Sequence, residues 1–137
     1  MKLKQIFFLT LALILMVTTF VPADTAAAAG TYSCHLDGQF PRDWVVMQSR
    51  QDFDMKWIVR NTGTANWNGV DLVFLGGAKM QKYGINRFDV KIVKPLGKAT
   101  LILDMVAPKN PGTYTTYWGL TNGNKVFCRF YLIVRVK

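Results

Sequence analysis

The chain is 137 residues long and strongly basic, with 17 lysines and arginines against eight acidic residues. This is the length of one ordinary domain, and the many β-branched and aromatic residues favour strands over helices. A single histidine and two cysteines are too few for a zinc site. We therefore predict an all-β protein without a metal site or a cofactor.

Residues 1–29 have the order of a secretory signal peptide. A basic start precedes an apolar run over residues 6–17, and small residues follow at 26–29. The run is shorter than the roughly 20 apolar residues that span a bilayer. We expect secretion to the extracellular space or the cell envelope, without stable membrane insertion after cleavage. A retained signal that acts as an anchor is the alternative. Three alanines are candidate cleavage positions: Ala23, Ala28 and Ala29.

The mature domain keeps 15 basic residues and seven acidic ones, all of them aspartates, for a net charge of +8. A basic exported domain attracts anionic polymers such as cell-wall polysaccharides. The alternative is that the positive charge only keeps the protein soluble.

The two cysteines, Cys34 and Cys128, lie near opposite ends of the mature chain. Because export places them in an oxidising compartment, we predict that they form one disulfide, with two free thiols as the alternative. The bond would close a loop of about 95 residues, which the chain-entropy model values at about 4.7 kcal/mol.

The strands are predicted from alternation of apolar and polar residues. Residues 30–52 form an irregular lead-in with a first strand at 44–47. The clearest strand is 53–60, where Phe53, Met55 and Trp57 share one face. Further strands are predicted at 70–75, 88–93, 98–106, 114–121 and 126–136.

Turn residues separate these strands throughout. Two prolines exclude residues 107–112 from a strand interior, because proline has no backbone N–H. About seven short strands with turns between them are the pattern of an immunoglobulin-like β-sandwich. We assign the sandwich to residues 53–137, forming a single domain with the lead-in 30–52.

Side chains suited to catalysis are not brought together by the predicted strands. Cys34 and His35 are adjacent, so on a strand they point to opposite faces and cannot act as nucleophile and base. Asp52 and Asp54 could share a face and bind Ca²⁺, but solvated acids at a strand end are far commoner. We predict that the protein is not an enzyme.

Segment 79–88 combines basic and aromatic residues and is the candidate ligand-binding segment. We hypothesise that an anionic polymer lies along three basic side chains while two aromatic rings stack on its sugars. The alternative is a solvated loop with its aromatic residues packed beneath it. The hypothetical ligand-binding residues are Lys79, Lys82, Tyr83, Arg87 and Trp44.

Two sequence strings occur together and in order: W-I-V-R-N-T-G-T-A-N-W at 57–67 and A-P-K-N-P-G-T-Y-T-T-Y-W at 107–118. They resemble the FW (four-tryptophan) immunoglobulin-like domain, the type found in selective-autophagy cargo receptors and in exported bacterial proteins. The resemblance covers residues 53–137. It departs from the family at Tyr131, which replaces the last tryptophan, and Trp44 lies outside the motif.

The tryptophans of these strings are predicted to be structural core. Trp57 and Trp118 stand at alternating strand positions, where large rings fill the space between two sheets. Trp67, between two turns, is also assigned to packing, and contact with a ligand is the alternative for all three. Many bacterial relatives carry a cysteine between positions 64 and 67, so the resemblance implies that Cys128 replaces it as the partner of Cys34.

Protein binding is the function that the resemblance implies, because FW domains of autophagy receptors bind cargo proteins. We expect a secreted, non-catalytic protein-interaction or adaptor domain of the cell surface or envelope. A carbohydrate- or anionic-polymer-binding module is the alternative. The expected partner is an unknown extracellular protein or an anionic polysaccharide, and no nucleic acid is expected because the domain is exported. The sequence does not determine the oligomeric state.

Overall fold

The computed structural model describes residues 28–137, so positions 1–27 of the expected signal peptide lie outside the described residues. In the described part of the chain, no helix is long and apolar enough to cross a membrane. Within it the chain forms eight strands and one short 3-10 turn at Lys82–Gly84. The strands are β1 (Cys34–Phe40), β2 (Val45–Met47), β3 (Asp52–Asn61), β4 (Val70–Gly77), β5 (Arg87–Asp89), β6 (Lys98–Val106), β7 (Gly112–Asn122) and β8 (Lys125–Val136).

The strands form two sheets that pack face to face. Sheet A has the order β1-β3-β6, and sheet B has the order β2-β8-β7-β4-β5. All neighbouring strands are antiparallel except β2 and β8, which are parallel. This architecture confirms the predicted all-β, immunoglobulin-like sandwich.

Two strand predictions need correction. Strand β1 was expected to be irregular, because its sequence C-H-L-D-G-Q-F lacks an apolar alternation. It is a strand because it pairs with β3, and a bulge between Leu36 and Gly38 accommodates the extra residue Asp37. The segment predicted as a strand at 88–93 pairs with β4 through Arg87–Asp89. After Asp89, its remaining ladder contact is an isolated bridge between Val93 and Trp67.

The core lies between the two sheets and is built around aromatic rings. Trp57, Trp67 and Trp118 are fully buried. The ring of Trp57 stacks on Phe130 at a centroid distance of 5.6 Å. Two of the indole N–H groups have protein acceptors, since Trp57 donates to Gln39 and Trp118 to the Thr116 hydroxyl, both at 3.0 Å. These tryptophans therefore stabilise the fold and offer no surface to a ligand.

A disulfide joins Cys34 of β1 to Cys128 of β8, with a Cα–Cα distance of 5.8 Å. It links an edge strand of sheet A to a strand of sheet B. The predicted pairing of the two cysteines is thereby confirmed.

The N-T-G-T segment at residues 61–64, where β3 ends, anchors the N-terminal lead-in. The backbone N–H groups of Thr64 and Ala65 both donate to the Thr31 carbonyl at 3.0 Å. Gly63 is required at this approach, because a Cβ there would collide with the same carbonyl. The most recognisable sequence string therefore has a structural role.

Candidate functional site

The structure places the predicted ligand-binding loop between β4 and β5. Lys82 lies 3.2 Å from the Asp52 carboxylate, and the hydrogen bond to Asp52 raises the pKa of Lys82 above its usual value. Arg87 forms an ion pair with Asp71. Two of the three cations in this loop therefore already have a carboxylate partner, which lowers their affinity for an external anion.

The aromatic residues predicted for the same site are not brought together. Tyr83 is 87% exposed at the 3-10 turn, so it does not pack beneath the loop. Trp44 is 57% exposed, and its backbone N–H donates to the Ile133 carbonyl at the β2 edge of sheet B. Strands β8, β7 and β4 separate that edge from β5, a distance of about 19 Å at the usual strand spacing. Trp44 cannot share one compact site with Arg87.

The outer face of sheet A carries a second group of neutralised cations. The carboxylate of Asp37 accepts hydrogen bonds from Lys98 at 2.8 Å and from Arg60 at 2.7 Å. These bonds, from Lys98 first and Arg60 second, lower the pKa of Asp37 to about 2. The β1 bulge directs Asp37 to this position. We therefore do not assign a ligand to these charges.

A cleft of about 620 Å³ opens between the two sheets on the side of β6. We call it the β6 cleft. One wall is formed by β6, where Leu101 and Leu103 are buried, and the other by the segment 88–93 together with Leu72. Apolar side chains supply most of the lining, while Lys91 stands at the rim and is exposed.

The open edge of β6 runs along this cleft. Strand β6 is the last strand of sheet A, and β3 is its neighbour on one side. On the other side, within residues 28–137, an isolated bridge joins Met105 to Gln81 near the end of the strand. The Val106 N–H turns away from β3 and donates to the Met80 carbonyl at 2.7 Å. Since backbone direction alternates along an antiparallel strand, Thr100 and Ile102 direct their N–H and C=O groups to the same open side. No backbone partner is found there among residues 28–137 for either residue.

Sequence reasoning did not find the β6 edge. The alternation of apolar residues identifies β6 as a strand, but it contains no signal that tells an edge strand from a central one. The order of the strands in the sheet decides this, and it depends on pairing between residues far apart in the chain.

Two packed sheets, joined by a disulfide beside a buried tryptophan cluster, define an immunoglobulin-like domain. Such a domain is consistent with a non-catalytic binding module. Residues 41–136 match the model of a protein family whose description is "Ig-like domain from next to BRCA1 gene". The chain belongs to this family.

Similar proteins were found at the levels of sequence and structure. Protein JOKA2 of Solanum tuberosum is 30% identical over 103 residues, which cover 69% of this chain and 12% of JOKA2. The chain thus spans only a small part of that relative. The solution NMR structure of the CARDB domain of PF1109 from Pyrococcus furiosus has a TM-score of 0.52 at 13% identity, covering 78% of this chain and 93% of that domain. This second likeness concerns the fold alone.

Proposed function

We propose that the protein is a secreted adaptor of the FW type that binds an extended segment of a partner protein at the β6 cleft. The observation that carries the proposal is the open part of the β6 edge, at Thr100 and Ile102, beside an apolar cleft. The sequence strings that resemble FW domains imply the same class of function.

The edge supplies the backbone part of the interaction. An unpaired strand edge presents a row of N–H and C=O groups that another strand can complete. Thr100 and Ile102 hold such groups in register at the centre of β6. Main-chain hydrogen bonds of this kind give affinity to β-strand addition, while pockets for alternate side chains give specificity.

The cleft supplies the side-chain part. A strand added to β6 continues the alternation of sheet A, so every second side chain faces the apolar lining next to Leu101 and Leu103. The intervening side chains face outward beside Ile102, which is 56% exposed. The partner segment therefore has apolar residues at alternate positions.

The charge of the domain indicates the remaining chemistry of the partner. The mature domain has an excess of eight positive charges. The cleft lining holds one lysine, Lys91, and one aspartate, Asp89, that form no ion pair within residues 28–137. The net charge of the domain therefore attracts an acidic segment, with an on-rate that falls as salt screens the charges.

The test uses the mature domain and random peptides displayed on phage. We expect selected peptides to alternate apolar and acidic residues. In fluorescence anisotropy, Thr100→Pro should weaken their binding by about tenfold or more, because proline removes the N–H that faces the incoming strand. That N–H is not one that pairs with β3, so the sheet itself keeps its hydrogen bonds.

Thr100→Val is the matched control, because it retains the N–H and removes the hydroxyl. Peptides that bind Thr100→Pro as tightly as the wild type would refute strand addition at this edge, provided that circular dichroism shows both variants to be folded. Export is tested separately, by N-terminal sequencing of protein recovered from the culture medium. Recovery of a chain that still begins at Met1 would contradict cleavage.

A further inference from the structure

The outer face of sheet B carries an exposed pair of tyrosines. Tyr117 of β7 and Tyr131 of β8 lie directly opposite each other in the register, with ring centroids 6.5 Å apart and an angle of 52° between the rings. They are 46% and 48% exposed. Each ring therefore has one side on the sheet and one side open to solvent.

Backbone packing holds one of these rings in place. A Cβ at Gly77 of β4 would lie 3.0 Å from Cδ2 of Tyr117. The ring of Tyr117 thus lies against the glycine backbone, and a Cβ at position 77 would also collide with the Thr115 carbonyl.

Two arginines stand on the same face of β8. Arg129 precedes Tyr131 by two residues and Arg135 follows it by four, so all three side chains point to one side of the sheet. Along the strand the two arginines are about 20 Å apart, with the tyrosine between them. We call these four residues, Tyr117, Tyr131, Arg129 and Arg135, the tyrosine–arginine face.

No carboxylate of residues 28–137 forms an ion pair with either arginine. Strands β7 and β8 contain no acidic residue at all. On the same sheet, Asp71 of β4 is already paired with Arg87. The carboxylate of Asp43, beside β8, accepts hydrogen bonds from the Ile133 N–H and from the Gln39 side chain. The tyrosine–arginine face therefore differs from the loop at Lys82, because its cations are available to an external anion.

We infer that the tyrosine–arginine face binds an anionic polysaccharide whose sugar rings carry carboxylate groups. Open tyrosine rings present flat apolar surfaces suited to the faces of sugar rings, and a guanidinium binds a carboxylate through two parallel hydrogen bonds. Polyanions without rings would use the arginines but leave the tyrosines without a function. The central, exposed tyrosine pair therefore favours a polyuronate over a polyphosphate.

The site lies on a different sheet from the β6 cleft, so it goes beyond the proposed protein binding. A domain that holds a cell-wall polymer on sheet B and a protein segment at the edge of sheet A would join the two. Loss of one activity leaves the other measurable.

The experiment compares three polymers on the mature domain: polygalacturonate, which has rings and carboxylates, dextran, which has rings alone, and polyphosphate, which has charge alone. Affinity electrophoresis or calorimetry at low and physiological salt gives the dissociation constants. We expect polygalacturonate to bind at least about tenfold more tightly than either of the others, with partial loss in salt.

Two double variants separate the contribution of the tyrosine rings to polymer binding from the contribution of the arginine charges. Tyr117→Ser/Tyr131→Ser and Arg129→Gln/Arg135→Gln should each weaken polygalacturonate binding by about tenfold or more. Tyr131→Phe retains the ring and should bind like the wild type. Normal binding by Tyr131→Phe also shows that a substitution at this position does not by itself abolish binding through misfolding.

Lys79→Gln/Lys82→Gln is the matched control, because it removes two positive charges from the loop and leaves sheet B unchanged. It should alter polygalacturonate binding by less than about threefold. Equal weakening by both pairs of charge substitutions would overturn the inference, since it would mean attraction to net charge alone. Absence of polygalacturonate binding at low salt would overturn it as well. Thr100→Pro should bind polygalacturonate normally, which separates this result from that of the protein-binding test.

Discussion

Replacing Asn61 with alanine removes a buried side chain that completes three hydrogen bonds. Its Nδ2 donates to the carbonyls of Ala65 and Val93, each at 2.9 Å, and its Oδ1 accepts from the Gly63 N–H at 3.0 Å. The side chain is fully buried. It therefore connects the end of β3 to the following turn and to the bridge at Val93.

The expected loss of stability follows from these partners. The Val93 carbonyl keeps the N–H of Trp67 as a donor, whereas the buried Gly63 N–H loses the side-chain acceptor. With about 1 kcal/mol for each of the two bonds that Nδ2 donates and about 2 kcal/mol for the buried Gly63 donor left unpaired, Asn61→Ala costs about 4 kcal/mol. In a domain of this size the melting temperature then falls by roughly 16 °C.

Urea unfolding of the domain at residues 30–137, followed by tryptophan fluorescence, measures this change. Asn68→Ala is the matched control, because Asn68 is exposed and no side-chain hydrogen bond is found for it in the described structure. It should change the free energy of unfolding by less than about 0.5 kcal/mol. If Asn61→Ala were no more destabilising than this control, the reasoning from the three hydrogen bonds would be refuted.

Two further predictions concern covalent and ionic links. Cys34→Ser/Cys128→Ser should lower the free energy of unfolding by about 2–5 kcal/mol, and an unchanged urea midpoint would contradict a stabilising disulfide. The pKa of Asp37 is lowered from 3.8 to about 2 by Lys98 and then Arg60. A carboxyl group whose pKa is lowered in the folded state stabilises the fold at pH values above its ordinary pKa. This stabilisation disappears as the pH falls toward 2. The difference in melting temperature between the wild type and Asp37→Asn should therefore shrink between about pH 5 and pH 2, and a constant difference would show that the ion pairs do not contribute.

The sequence determined the strands that carry a regular alternation. Strands β3, β6, β7 and β8 were predicted within two residues of their observed bounds, because a half-buried strand needs an apolar residue at every second position. The same period assigns Trp57 to the inner face, and it is fully buried. The two cysteines and the expected export were sufficient to predict the disulfide.

Strands without this pattern depend on a neighbour. The sequence of β1 interrupts any alternation at Asp37 and Gly38, and it becomes a strand only where β3 offers backbone partners. The segment 88–93 does alternate, yet its pairing ends after Asp89. In both cases long-range hydrogen bonding overrides the local preference, as expected for β structure.

The binding surfaces were decided by the tertiary structure. Sequence alone places Arg129, Tyr131 and Arg135 on one side of a strand, but the register of β7 places Tyr117 opposite Tyr131. Residues far apart in the chain likewise give Lys82 its carboxylate partner and leave β6 at the edge of its sheet. Local alternation decides which way a side chain points. Which strands are neighbours, and therefore which charges and backbone groups remain open to a partner, depends on contacts between distant segments that no local pattern contains.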